Sequence, residues 1–135
     1  MGSVTPYPLA LVVCDFIWDD PDTGKKTLIG TFSVIEGRSF PLVHPSISVL
    51  ASLTDGCGAF VIRLELSDVD DEREPIFSLE HEVEVDDPRV IVEQVFVADN
   101  VVFTHPGEYR LRLFANHEFL IERRLILAAS GGYKP

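Results

Sequence analysis

Apolar and polar residues alternate along most of this chain, and the alternation is clearest between residues 106 and 127. After a Pro-Gly pair, Tyr109, Leu111 and Leu113 are separated by charged residues. A period of two is typical of a half-buried β-strand. A second apolar run covers residues 119–128. The segment therefore predicts a β-hairpin with one face turned toward a hydrophobic core.

The register of this hairpin follows from which side chains must be buried. A two-residue turn would set Leu111 opposite Glu122, an apolar residue opposite a charged one. A shift by one residue moves every side chain to the other face of a strand. We therefore expect a three-residue loop at residues 116–118, which places Leu113 opposite Ile121.

The outer face of the hairpin carries the best candidate interface in the sequence. Five residues are predicted to share it: Arg110, Arg112, Phe114, Leu120 and Arg124. Aromatic residues and arginine are enriched at the centres of protein interfaces. The interpretation is contact with a partner protein or self-association, and the alternative is that another part of the chain covers this face.

Two further hairpins are predicted upstream. The first joins residues 8–18 to residues 25–35, where Gly30 indicates a bulge or a close approach of two backbones. The second joins residues 47–54 to residues 59–67, which also alternate.

The remaining segments are a loop and further strands. Residues 36–46 contain a glycine and two prolines and predict a crossing loop. Residues 76–85 predict a strand, and residues 90–97 predict another before a turn signal at residues 99–100. The outer face of the strand at 76–85 carries three glutamates, Glu80, Glu82 and Glu84.

Short alternating strands with turns between them indicate an all-β fold. We predict an antiparallel β-sandwich of seven to nine strands, immunoglobulin-like or a related Greek key. Residues 7–128 would form a single domain, and residues 129–135 a flexible C-terminal tail.

Composition and charge narrow the function classes. Hydrophobic residues make up 46% of the 135 residues, so the chain can bury a core, and no apolar run approaches the ~20 residues of a membrane span. The net charge of −11 disfavours nucleic acid as a partner. Cys14 and Cys57 are expected to be free thiols, which, with no recognisable secretory signal, favours a cytoplasmic location.

Acidic residues crowd one loop and make it a candidate for metal binding. Asp68, Asp70, Asp71 and Glu72 form a candidate weak calcium loop, since calcium prefers several oxygen ligands. The loop lacks the spacing of a known calcium loop, and a solvated acidic turn is the favoured interpretation. The four histidines are scattered, and His81 is expected on the inward face of its strand, in the core or at its boundary. No metal and no cofactor are predicted.

Catalytic motifs are missing from the sequence. It has no Gly-x-Ser-x-Gly elbow and no glycine-rich phosphate loop. We therefore predict a non-enzymatic protein with no catalytic residues. A ligand-binding or calcium-binding module is the first alternative, and a hydrolase with Cys57 as its nucleophile is the second.

The order of several motifs resembles a family of small uncharacterised bacterial all-β proteins. The motifs are Ala-Leu-Val-Val-Cys-Asp at residues 10–15, Lys-x-x-Leu-Ile-Gly-x-Phe at 25–32, Phe-Pro-x-x-His-Pro at 40–45 and Pro-Gly-Glu-Tyr-x-Leu-x-Leu at 106–113. The resemblance covers about residues 10–127. It implies a β-sandwich fold and a bacterial source, and it transfers no activity to any residue.

Overall fold

Two β-sheets make up the structure, a computed structural model that describes residues 3–71 and 74–130. The strands are β1 (Tyr7–Asp19), β2 (Lys26–Thr31), β3 (Val34–Gly37), β4 (Leu42–Thr54), β5 (Gly58–Asp68), β6 (Phe77–Val85), β7 (Val92–Phe103), β8 (Gly107–Ala115) and β9 (Glu118–Ala129). None of the described residues forms a helix able to cross a lipid bilayer.

The sheets have four and five strands. The order in the smaller sheet is β2-β1-β4-β7, and in the larger sheet it is β3-β9-β8-β5-β6. Neighbouring strands run antiparallel except for β3 and β9, which are parallel. The prediction of an all-β sandwich with seven to nine strands is confirmed.

The core lies between the inner faces of the two sheets. Its largest fully buried side chains include Tyr109, Phe96, Phe103, Ile47 and Leu113. A second, smaller cluster contains Cys14, Ile17 and Leu50. Cys14 is completely buried there, as a small hydrophobic residue would be.

The first upstream hairpin is confirmed, but the second is wrong. β1 pairs with β2, whereas β4 pairs with β1 and β7, and β5 pairs with β6 and β8. The short segment between β4 and β5 carries the chain from one sheet to the other. It is held by a hydrogen bond from Asp55 N to Pro88 O and by a bridge between Val4 and Cys57.

Two predicted interruptions lie inside strands. β4 begins at Leu42, within the segment predicted as a crossing loop, and β3 occupies part of the same segment. The turn predicted at residues 99–100 is also wrong, because β7 continues through it with Asn100 at a φ of 52°. The core-facing residues have even numbers up to Ala98 and odd numbers from Val101 onward, so the irregularity changes which side chains of β7 face the core.

The hairpin of β8 and β9 has the predicted register in its body and a different turn. Leu113 pairs with Ile121, as expected, but Phe114 pairs with Phe119. Leu120 is therefore an extra residue, a β-bulge that absorbs the difference between the two turn lengths. The prediction of a three-residue loop is wrong, because the bulge lets a two-residue turn keep Leu113 opposite Ile121. Beyond the bulge, Phe119 rather than Leu120 lies beside Phe114, and Leu120 packs against the core.

The last strand, β9, extends to Ala129, the first residue of the predicted tail. Ala129 still pairs with Gly37, and Ser130 N donates a hydrogen bond to Gly37 O. The rest of the predicted tail, residues 131–135, lies outside the described residues.

Candidate functional site

The candidate site is the outer face of the five-stranded sheet, on the side away from the core. Side chains from β6, β5, β8 and β9 meet there in rows across the sheet. One row reads Glu80, Arg63, Phe114 and Phe119 in the strand register. This row combines a carboxylate, a guanidinium group and two aromatic rings, and of these arginine and aromatic residues are enriched at interface centres.

The aromatic pair is fixed by its neighbours. The rings of Phe114 and Phe119 meet edge to face, with their centroids 5.9 Å apart. Arg63 Cζ lies 4.4 Å from the centroid of Phe114, in a cation–π contact. Arg63 Nε is also 3.0 Å from Glu65 Oε1, an ion pair without hydrogen-bond alignment. Phe119 remains 50% exposed.

The arginines of this face are paired with carboxylates. Arg110 donates hydrogen bonds to Glu122 (2.6 Å) and to Glu108 (2.7 Å), and these bonds raise the pKa of its guanidinium group. Arg124 Nε lies 3.0 Å from the other oxygen of Glu108, and Arg112 Nε lies 3.9 Å from Glu122. Glu108 thereby relieves the repulsion between Arg110 and Arg124, which face each other across the strands.

Four of the five predicted interface residues lie on this face, and the fifth does not. Phe114 and the three arginines point outward, whereas Leu120 packs against the core. Sequence reasoning missed Phe119, which replaces Leu120, and Arg63, which belongs to β5. The alternation along β5 placed Arg63 outward, but nothing local indicated that β5 lies beside β8.

Two open depressions lie at the end of this face nearest the β8–β9 turn. Their volumes are about 510 Å³ and about 270 Å³, and both are lined by Val61 and Asn116. Carboxylates of β6 form one wall, and His117 contributes to the smaller depression. The depressions can therefore take a polar or cationic group beside the carboxylates of β6.

Asn116 fixes the turn that borders these depressions. Its φ is 46°, in the left-handed region that asparagine tolerates. Its Oδ1 accepts a hydrogen bond from Val61 N, and its own N–H donates to Val61 O, both at 2.9 Å. Its Nδ2 also donates to Ser3 Oγ. These bonds attach the turn to β5 and to the N-terminal segment.

The acidic loop after β5 is organised around one carboxylate. Asp68 Oδ1 accepts a hydrogen bond from Asp70 N, and Asp68 Oδ2 lies 2.6 Å from His105 Nε2. The other ring nitrogen of His105 lies 2.9 Å from Pro106 O. Because both ring nitrogens face acceptors, the charged imidazolium is favoured. The Pro106 carbonyl, followed by Asp68, raises the pKa of His105.

This loop is the predicted calcium site, and its principal carboxylate already has partners. Both oxygens of Asp68 are engaged, Asp71 N donates to Asp68 O, and Glu72 lies outside the described residues. Within residues 3–71 and 74–130, no group of three or more His, Cys, Asp and Glu side chains could hold a metal ion.

The other singled-out residues are distributed over the molecule. His81 stacks on Phe96 at 4.0 Å and lies within hydrogen-bond distance of Gln94, which confirms its position at the boundary of the core. Cys57 is half-buried, and its Sγ lies 3.9 Å from Asp86 O. Burial is the main cause that lowers the pKa of His44.

Comparison with known proteins assigns the family. A family model matches residues 9–128, most of the chain. The chain belongs to the family of unknown function DUF6941. The sequence resemblance to a small uncharacterised all-β family is thereby confirmed. No curated protein sequence matches the DUF6941 chain.

Among solved structures, the DUF6941 chain is similar to the Pseudomonas fluorescens alkylpurine DNA glycosylase AlkC bound to DNA containing an abasic site analog. The identity is 10%, and the TM-score is 0.49. The match covers 88% of this chain and 30% of the glycosylase chain, so this chain spans less than a third of the glycosylase.

Proposed function

We propose that this protein is a non-enzymatic binding module that recognises a partner protein through the outer face of its five-stranded sheet. The observation that carries the proposal is the aromatic pair of Phe114, which Arg63 covers, and Phe119, which is exposed. An exposed aromatic ring beside arginine is the type of group on which binding energy is concentrated in interfaces.

The arrangement of charges on this face favours binding over catalysis. The guanidinium group of Arg110 and the carboxylates of Glu108 and Glu122 are bonded to one another. A catalytic acid or base must be able to exchange a proton with a substrate, whereas these groups hold each other in fixed positions. The ion pairs act in this proposal as the rigid surroundings of the aromatic pair.

Rigidity reduces the entropy that is lost when a partner binds. The turn at Asn116 is hydrogen-bonded to β5, and Arg63 is held between Glu65 and the ring of Phe114. Side chains that are ordered before binding do not lose that freedom in the complex. The face therefore supports recognition without a large rearrangement.

The charge of the surroundings indicates the chemistry of the partner. Glu80, Glu82 and Glu84 are exposed along β6, at one edge of the face, and the whole chain carries a net charge of −11. A partner with basic groups around an apolar centre complements this arrangement. A nucleic acid is disfavoured because its phosphates would meet these carboxylates.

The proposal is tested by replacing Phe119 with serine. The matched control is Ile29→Ser on β2, because Ile29 is 51% exposed and Phe119 is 50% exposed. A partner protein captured from an extract by the wild type should also be captured by the control variant. Its affinity for the Phe119→Ser protein should fall about tenfold or more, which corresponds to about 1.4 kcal/mol.

Two results would overturn the proposal. One is a purified partner that binds the wild type and the Phe119→Ser variant equally well. The other is that no protein is captured by the wild type from an extract of its own source cells. Circular dichroism and thermal melting of both variants establish that a loss of binding is not a loss of folding.

A further inference from the structure

The two sheets leave a groove open on one side of the sandwich. β6 and β7 are edge strands of different sheets, and they face each other there. Side chains of His81, Gln94 and Phe96 close the gap at one level. Beyond them lies a groove of about 350 Å³, and its apolar lining comprises Ile76, Phe77, Leu79, Val97, Val101 and Val102.

The groove runs beside a free strand edge. β6 pairs with β5 along its whole length, from Phe77 opposite Leu66 to Val85 opposite Gly58. No other strand among the described residues pairs with β6. Every second residue of an edge strand directs its N–H and C=O away from the sheet, where an added strand can bond to them.

The glutamates on the outer face of β6 favour a positive charge on a strand added at this edge. Across from β6 on β5, Glu80 faces Arg63, but Glu82 faces Val61 and Glu84 faces Ala59. Two carboxylates of the row therefore have an apolar residue opposite them on β5. An added strand would place a new residue on their other side, and a basic residue there would form a favourable cross-strand pair.

We propose that the edge of β6 binds an extended segment of a partner protein in which basic and apolar residues alternate. Successive side chains of a strand point to opposite sides. The apolar ones would enter the groove against Phe77 and Leu79, and the basic ones would lie beside Glu82 and Glu84. This site shares the glutamates of β6 with the face proposed above but does not include Phe119, and the proposal does not depend on the function assigned to that residue.

Charge opposes the pairing of this edge with β6 of a second copy of the chain. If β6 of one molecule paired with β6 of another, each glutamate row would meet the same row of its partner. Like charges directly opposite each other destabilise a strand pair. The glutamates thus protect the edge from pairing with itself and admit a basic strand.

The test uses a synthetic peptide in which lysine and valine alternate over about nine residues, a length that covers β6. Two matched peptides serve as controls. One has the same composition with the lysines and valines in separate blocks. The other keeps the alternating sequence but carries N-methyl groups that remove its backbone donors. Binding is followed by NMR of the isotope-labelled full chain.

The alternating peptide should shift the amide signals of β6 and bind about tenfold more tightly than either control peptide. The Glu82→Lys/Glu84→Lys protein should bind it about tenfold more weakly than the wild type. An Asp22→Lys/Glu36→Lys protein carries the same change in charge at exposed positions outside β6. Its affinity should fall much less.

A Leu79→Ser variant separates the groove from the charges. Leu79 lines the groove and is only partly buried, so the variant should weaken peptide binding about tenfold while its circular dichroism spectrum stays that of the wild type. The proposal is overturned if the blocked peptide binds as well as the alternating one. It also fails if both double variants lose the same affinity, or if the wild type shows no shift in β6 at peptide concentrations up to about 1 mM.

Discussion

His105 is the residue whose protonation the structure ties most directly to folding. Its Nε2 faces the largely buried carboxylate of Asp68, and its Nδ1 faces Pro106 O. We expect NMR titration to give a pKa for His105 above the ordinary value of about 6.5. A pKa at or below that value would show that this geometry does not persist in solution.

The raised pKa of His105 has a consequence for stability. Its contribution is fully present below the unfolded-state value of about 6.5 and is lost as the pH rises through the folded-state pKa. The Asp68→Asn variant should therefore be less stable than the wild type near pH 6, by about 1 kcal/mol. Urea unfolding should show that this difference narrows at alkaline pH. A stability difference between wild type and variant that is the same at about pH 6 and at about pH 9, on either side of the titration of His105, contradicts the prediction.

Asn116 and His117 should respond oppositely to substitution. Both have positive φ, at 46° and 71°, but only Asn116 provides its side chain to a backbone N–H of β5. Asn116→Ala should cost about 2 kcal/mol, because it loses that bond and puts alanine in the left-handed region. His117→Gly should be neutral or stabilising by up to about 1 kcal/mol. Equal destabilisation of both variants in urea unfolding would contradict this account.

Residue patterns predicted most of the candidate face but not its detail. The alternation of β8 placed Phe114 and the three arginines outward, and the register pairs Leu113 with Ile121. Alternation alone cannot reveal a bulge. One extra residue moves every later side chain of the strand to the other face, and no residue type in the sequence indicates where this occurs. For that reason Leu120 was expected where Phe119 lies.

At the scale of elements, the β1–β2 hairpin brings Gly30 of β2 close to the side chain of Asp15 of β1, and the effect of this contact on stability can be measured. A Cβ added to Gly30 would lie 2.6 Å from Asp15 Oδ2, whereas one added to Gly24 would have no atom within 4 Å. The φ angles are similar, 70° and 71°. Gly24→Ala should therefore cost about 1 kcal/mol and Gly30→Ala about 2 kcal/mol.

Removing the Asp15 side chain provides the control for this comparison. In an Asp15→Ala background the contact is gone, so the two glycine substitutions should cost the same within about 0.5 kcal/mol. Thermal or urea unfolding of the double variants measures the coupling. If Gly30→Ala remains the more destabilising of the two without Asp15, the close approach is not its cause.

The pairing of strands was less predictable than their existence. β4 and β5 alternate and are joined by a short segment, which is the pattern of a hairpin, yet they lie in different sheets. The segment that separates β4 from β5 is held by residues distant in sequence. Val4 forms a β-bridge with Cys57, and Asp55 N donates a hydrogen bond to Pro88 O. A local pattern does not contain that information. The same holds for Arg63, which reaches Phe114 only because β5 pairs with β8.

At the scale of the whole molecule, charge distinguishes a partner protein from self-association. The chain has 22 acidic and 11 basic residues, and the basic residues of the outer face are already paired with carboxylates. Two copies therefore repel each other at low ionic strength, where the Debye length is long, roughly 20 Å at about 20 mM salt.

We expect the protein to sediment as a monomer at about 20 mM salt and about 100 μM protein, because this repulsion acts over the approach of two acidic surfaces. Raising the salt to about 0.5 M screens the repulsion, and any weak contact of apolar groups would then become visible as a slow rise in mass. The Phe119→Ser variant is the control, since a contact through the aromatic pair should disappear in it. A dimer that forms at low salt and is lost in the Phe119→Ser variant would mean that the face binds a second copy of the chain. That result would support the proposed binding face but contradict the proposal that its partner is a different protein.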